Sequence, residues 1–163
     1  MTIEPADGRG RNLRFAWHLG RVVAGSARPG RFGPVGPELE WLAGQGIKTI
    51  VNLCSSLFEP PPGFADRFEF VHLPVPDCHP PMVEQVLTAI DLVRKKTGVG
   101  NAILFHCRGG VGRTATVLTP VLMEVGGMSL TEAVDELRRA GRLTQSMEQW
   151  RFLEGWAAKS KGR

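Results

Sequence analysis

The chain has 163 residues, 42% of them hydrophobic, with 20 Lys and Arg against 16 Asp and Glu for a net charge of +4. Such a length suggests one domain able to bury its own core without a disulfide framework, and three cysteines fit a reducing compartment. No stretch reads as a signal peptide or as a span of ~20 apolar residues, and basic residues do not interleave with aromatics as in RNA-recognition modules. The expectation is a cytoplasmic monomer with no membrane insertion and no nucleic-acid partner. Its mild basicity, with a pI near 9.3, favours anionic ligands.

Residues 1–13 are polar and contain Gly and Arg, so they read as a flexible N-terminal arm, with residues 14–163 as a single domain. "RVVAGSARP" predicts a short strand from Arg21 to Ala24, stopped by Gly25 and Ser26, then a Pro/Gly-rich loop to Pro37. A short helix follows Pro37 and closes at Gly44 and Gly46. "IKTIVNL" predicts a buried strand, "CSSLFEPPPGFADR" a long loop, and the alternating "FEFVHLPV" another strand. Val83, Val86, Leu87, Ile90 and Val93 recur at helical spacing in a helix that ends with basic residues and Gly98. "NAILFHC" is a short apolar strand. "RTATVLTPVLMEVGG" reads as a helix that Pro120 should bend. Ser129 and Glu132 form a capping box for the next helix, and Ser146 with Gln149 has the same spacing at the start of the last. Strands alternating with helices predict an α/β fold, a small and mostly parallel central sheet flanked by helices, with ligands at the carboxyl ends of its strands.

"NAILF" delivers Cys107 to that edge, and "CRGGVGRT" follows. Gly109, Gly110 and Gly112 allow a sharp turn, so that backbone N–H groups from Arg108 through Val111 to Arg113 can point inward as an anion nest. The helix starting near Arg113 adds its positive N-terminal end. Arg113 can grip two phosphate oxygens in a fork. A thiol at the base of such a nest is expected to ionise readily and to act as a nucleophile. Thr114 places a hydroxyl near the sulfur, where it can stabilise a departing thiolate, and His106 can fix the loop. No Gly-Lys-Ser/Thr ends the loop, which excludes a Walker-type nucleotide site. No metal or cofactor is called for.

"HCRGGVGRT" resembles the His-Cys-x5-Arg-Ser/Thr signature of cysteine-based protein tyrosine phosphatases. From about Phe15 to Trp156 the chain is similar to the small atypical dual-specificity phosphatases. The resemblance implies a metal-independent phosphatase acting on phosphotyrosine and phosphoserine/threonine through a phosphocysteine, with residues 14–163 as the catalytic domain. It implies Asp77, in "LPVPDCHPP", as general acid and then base. It implies that Gln149 places the hydrolytic water, with helix capping as its competing role. Arg108, directly after the nucleophile, would add charge at the rim and favour strongly anionic substrates such as phosphoinositides. Cys54 would be a backdoor cysteine able to form a reversible disulfide with Cys107, with Cys78 as the competing partner. The chain has no tyrosine, which fits a shallower pocket than that of strict tyrosine phosphatases. The alternatives are a phosphoinositide or other small or lipid phosphate substrate, a phosphate-binding module without turnover, and a rhodanese-type sulfurtransferase.

Overall fold

The computed structural model describes residues 8–97 and 101–161. Five strands form one sheet in the order β1-β2-β5-β3-β4, where β1 is Ala16–Leu19, β2 Val23–Ala27, β3 Ile47–Asn52, β4 Glu69–His72 and β5 Ala102–Cys107. The β1–β2 pair is antiparallel and the other three pairs are parallel. The central strands β2 and β5 are buried along their whole length, as expected where helices cover both faces of a parallel sheet.

Alternation along β5 divides the core. Ile103, Phe105 and Cys107 face one layer; Ala102 and Leu104 face the other. The first layer holds α3 (Val83–Thr97), α4 (Gly112–Gly126), α5 (Leu130–Arg139) and α6 (Met147–Ser160), which contribute Val86, Ile90, Leu118, Leu137 and Trp156. The second holds α1 (Arg9–Asn12) and α2 (Val35–Gly44), with Leu13, Leu39 and Leu42. α4, the central helix, is buried from Gly112 to Leu122 and carries Pro120 in its interior. The missing N–H of Pro120 costs one helical bond.

The capping box at α5 is present: Glu132 N donates to Ser129 Oγ at 3.1 Å, and Ser129 N to Glu132 Oε2 at 2.8 Å. Three expectations need correction. Within the arm expected over residues 1–13, Arg9–Asn12 form a helical turn and Leu13 is 1% exposed in the core, so these residues belong to the folded domain; residues 1–7 lie outside the described residues. The first strand is a hairpin, β1 and β2, and Gly25 and Ser26 lie inside β2 rather than ending it. A side chain at Gly25 would collide with the Arg142 guanidinium packed across the strand, so this glycine makes room and does not break. Finally, α2 begins at Val35, with Pro37 inside its first turn, where a missing N–H leaves no bond unmade. Gly98, the expected stop of α3, lies outside the described residues.

Candidate active site

β5 ends at Cys107 and α4 begins at Gly112, so Arg108–Val111 must reverse the chain in four residues. Gly110 makes this possible. Its φ is +73°, and a Cβ would lie 2.6–2.7 Å from the backbone of Ser26 and Ala27 on β2. Only glycine has both the left-handed backbone and the clearance. The loop is thus pressed against the neighbouring strand, and Arg28 N, just past the end of β2, donates to Arg108 O at 3.2 Å.

Cys107 is 3% exposed at the floor of an open cleft of about 520 Å³, lined also by Arg113, Asp77, Arg108, Gly109 and Val111. Thr114 Oγ1 donates to Cys107 Sγ at 3.0 Å. A hydroxyl so placed stabilises negative charge on sulfur, which is the charge a thiolate carries as nucleophile and as leaving group. Arg113 is 6% exposed; its Nη1 donates to Val75 O at 3.1 Å and its Nη2 lies 3.6 Å from Asp77 Oδ1. The Asp77 carboxylate is therefore held over the same cleft by the arginine, while its side chain stays 69% exposed.

The Asp77 segment is a tight turn. His79 N donates to Pro76 O at 3.1 Å, Cys78 takes a left-handed φ of 61°, and Cys78 N donates to Asp77 Oδ1 at 3.0 Å. The start of α6 holds this turn: Ser146 Oγ donates to Cys78 O at 2.6 Å and Gln149 Nε2 to His79 O at 3.2 Å.

That geometry bears on Gln149. It is 0% exposed and absent from the cleft lining, and Gln149 Oε1 accepts from Gln145 N at 2.8 Å. It neither lines the cleft beside the sulfur nor completes a capping box, since its side chain reaches the N–H of Gln145 and not that of Ser146. The glutamine in the cleft is Gln145, whose Oε1 occupies the space that a Cβ on Gly112 would need. The sequence carried a signal for this: two glutamines four residues apart straddle the helix start, and only the one before the cap is free to point outward.

His106 is 0% exposed, its ring nitrogens find no hydrogen-bond partner among the described residues, and its ring meets the edge of Phe58 at 5.9 Å. Burial drives its pKa down to about 3, opposed weakly by the Cys107 backbone. The imidazole is neutral at neutral pH and packs against Phe58 behind the loop. Cys54 is buried in the same core cluster as Cys107, whereas Cys78 is exposed. Two groups escaped the sequence reading. Arg142, 1% exposed, donates from Nη2 to Arg14 O at 2.6 Å. Its pKa falls to about 10 through burial, against the pull of Cys107, so it remains a cation beneath the site at neutral pH. Arg14 in turn donates from Nη1 to Gly109 O at 3.1 Å and lines the cleft with Arg31 and Phe32. Among the described residues no group of three or more His, Cys, Asp or Glu could hold a metal ion, and no helix is long and apolar enough to cross a membrane.

The family model for a DSP-PTPase phosphatase of polymorphic toxin systems matches residues 24–127. Human protein tyrosine phosphatase type IVA 3 is 28% identical over 127 residues, 77% of this chain and 73% of that one. The crystal structure of Tk-PTP in its active form superposes with a TM-score of 0.76 at 29% identity, covering 90% of this chain and 97% of that one. PTPMT1, solved in complex with PI(5)P, shares the fold at a TM-score of 0.74 and 16% identity, over 90% of this chain and 97% of that one. The chain belongs to the DSP-PTPase phosphatase family, and it is a phosphatase enzyme of the dual-specificity fold.

Proposed function

We propose that the protein hydrolyses phosphate monoesters in two steps through a phosphocysteine on Cys107. In the first step the Cys107 thiolate attacks phosphorus. Arg113 and the loop amides from Arg108 to Gly112 bind the equatorial oxygens, where charge builds in the transition state. Asp77 gives its proton to the leaving oxygen. In the second step Gln145 orients a water whose oxygen attacks phosphorus while Asp77 takes its proton; the S–P bond breaks, the thiolate departs toward the Thr114 hydroxyl, and inorganic phosphate is released. Gln149 and Ser146 act as positioning residues, because they tie the Asp77 turn to the start of α6. The observation that carries this reading is the Thr114–Cys107 hydrogen bond of 3.0 Å beneath an arginine that also faces Asp77.

Phosphorylated protein side chains are the leading substrates, in keeping with the names of the tyrosine and dual-specificity phosphatases it resembles. A phosphoinositide or other small phosphate is the second reading, favoured by the four arginines that line the cleft: Arg14, Arg31, Arg108 and Arg113. The three free thiols fit a reducing cytoplasm, and Cys54 is the buried partner available to Cys107 on oxidation. To test the mechanism, wild type and Gln145→Ala are mixed with an aryl phosphate, quenched in acid and weighed by mass spectrometry. A single phosphoryl group mapped to Cys107, more abundant in Gln145→Ala, is expected. Turnover with no phosphoenzyme in either protein would overturn the two-step scheme.

A further inference from the structure

The cleft is built for more negative charge than one phosphate presents to Arg113. Beside the Cys107 loop stand Arg14 and Arg31, both over the ring of Phe32, with Cζ atoms 4.6 and 5.3 Å from its centroid. A single ring thus holds two guanidinium groups at one wall of the cleft, and both line it together with Cys107. Cation–π contact at such distances restrains the arginines without using their N–H groups.

The arrangement is costly, and the structure maintains it. Arg14 has a φ of 52°, a left-handed backbone that side-chain-bearing residues seldom adopt. It is held there by the buried Arg142, which donates to Arg14 O at 2.6 Å, and by Arg14 N donating to Arg11 O at 3.0 Å. The side chain is then fastened to the phosphate loop through Gly109 O at 3.1 Å. The segment bearing Arg31 and Phe32 is pinned by the Glu38 carboxylate, 1% exposed, whose Oε2 accepts from Gly30 N at 2.8 Å. Arg108 adds a further cation on the cleft, and Asp77 is the one carboxylate among its described lining residues. Backbone strain at an arginine, a buried arginine beneath it and a buried carboxylate behind its neighbour are more than ordinary surface charge requires.

We infer that Arg14, Arg31 and Phe32 form a second anion subsite, adjoining the Cys107 loop, that takes a second phosphate of the substrate. Within the second substrate reading above, the class that fits such a subsite is a compact bisphosphate, two phosphate monoesters carried on one small ring. A cleft of about 520 Å³ that contains both the nucleophile and the arginine pair suits one small molecule. A rigid ring presents its second phosphate at a fixed separation, with little ordering entropy to lose. The chemistry is the same whether the ring is soluble or is a lipid headgroup. This inference rests on the phosphatase reading above.

The test compares kcat/KM on an inositol bisphosphate with that on an inositol monophosphate, for wild type, Arg31→Ala and Phe32→Leu. The second variant keeps both charges but removes the ring that seats them. Charge-assisted hydrogen bonds of this kind correspond to about tenfold or more in rate each. Wild type should prefer the bisphosphate by at least about tenfold, Arg31→Ala should remove most of that preference, and Phe32→Leu part of it. The same bisphosphate headgroup in phosphatidylcholine vesicles, run beside the soluble compound, tells a lipid source from a soluble one. Equal rates on mono- and bisphosphate, or a preference that survives Arg31→Ala, would overturn the inference. So would a larger gain on a doubly phosphorylated peptide over its singly phosphorylated form. An aryl monophosphate run alongside separates the two failures. If wild type hydrolyses it and Cys107→Ser does not, the phosphatase reading stands whatever becomes of the subsite.

Discussion

Acid should destabilise this protein earlier than its carboxylates require. His18 and His106 are 3% and 0% exposed, and no ring nitrogen of either finds a hydrogen-bond partner among the described residues. The Glu136 carboxylate, 3.8 Å from His18 Nδ1, does not compensate for burial and the nearby Arg142 charge. Both pKa values fall from 6.5 to about 3, in each case mainly through burial. The unfolded chain binds these two protons near pH 6.5, whereas the folded chain does not bind them until about pH 3. Their contribution is therefore intact above 6.5 and is lost progressively as the pH falls toward 3. At about pH 5 each histidine costs roughly 2 kcal/mol, about 4 together, against a typical total of ~5–15 kcal/mol. Burial raises the pKa of Glu38, which acts in the opposite direction in wild type and variant alike. The assay is the urea midpoint at neutral pH and near pH 5 for wild type and His18→Gln. The variant should show about half the acid-induced loss. A wild-type loss under about 1 kcal/mol, or an equal loss in the variant, would refute the reasoning.

Gly110→Ala should destabilise by more than about 2 kcal/mol in denaturant unfolding, because a left-handed backbone and a contact with β2 backbone are both violated. Asp77→Asn should slow alkyl phosphate hydrolysis by about 10²- to 10⁴-fold and nitrophenyl phosphate hydrolysis much less, since a good leaving group needs little protonation; equal losses would remove Asp77 as the acid. Gln145→Ala should leave the pre-steady-state burst intact and slow the steady state. Gln149→Ala should instead lower the burst rate and cost about 1–3 kcal/mol of stability, because it severs two partly buried hydrogen bonds.

Much of this architecture is written locally. The apolar run before Cys107, the glycine loop after it and the Ser129–Glu132 box each depend on a few adjacent residues, and each folds as its pattern implies. The misreadings share a different cause. Gly25 looks like a strand stop, yet it sits within β2 because Arg142, more than a hundred residues later, lies across it. Gln149 has cap spacing and a plausible catalytic role, but its burial against the Asp77 turn depends on packing between distant loops. Arg14 and Arg31 look like scattered solubility charge until the hairpin and the α2 loop bring them beside Phe32. Contacts made across the fold leave no periodic trace in the chain.

The most direct test of the central claim is hydrolysis of a generic aryl phosphate with EDTA present, wild type beside Cys107→Ser. The account predicts steady turnover in the first, unaffected by the chelator, and none in the second. Turnover that survives Cys107→Ser, or that disappears with EDTA, would contradict it.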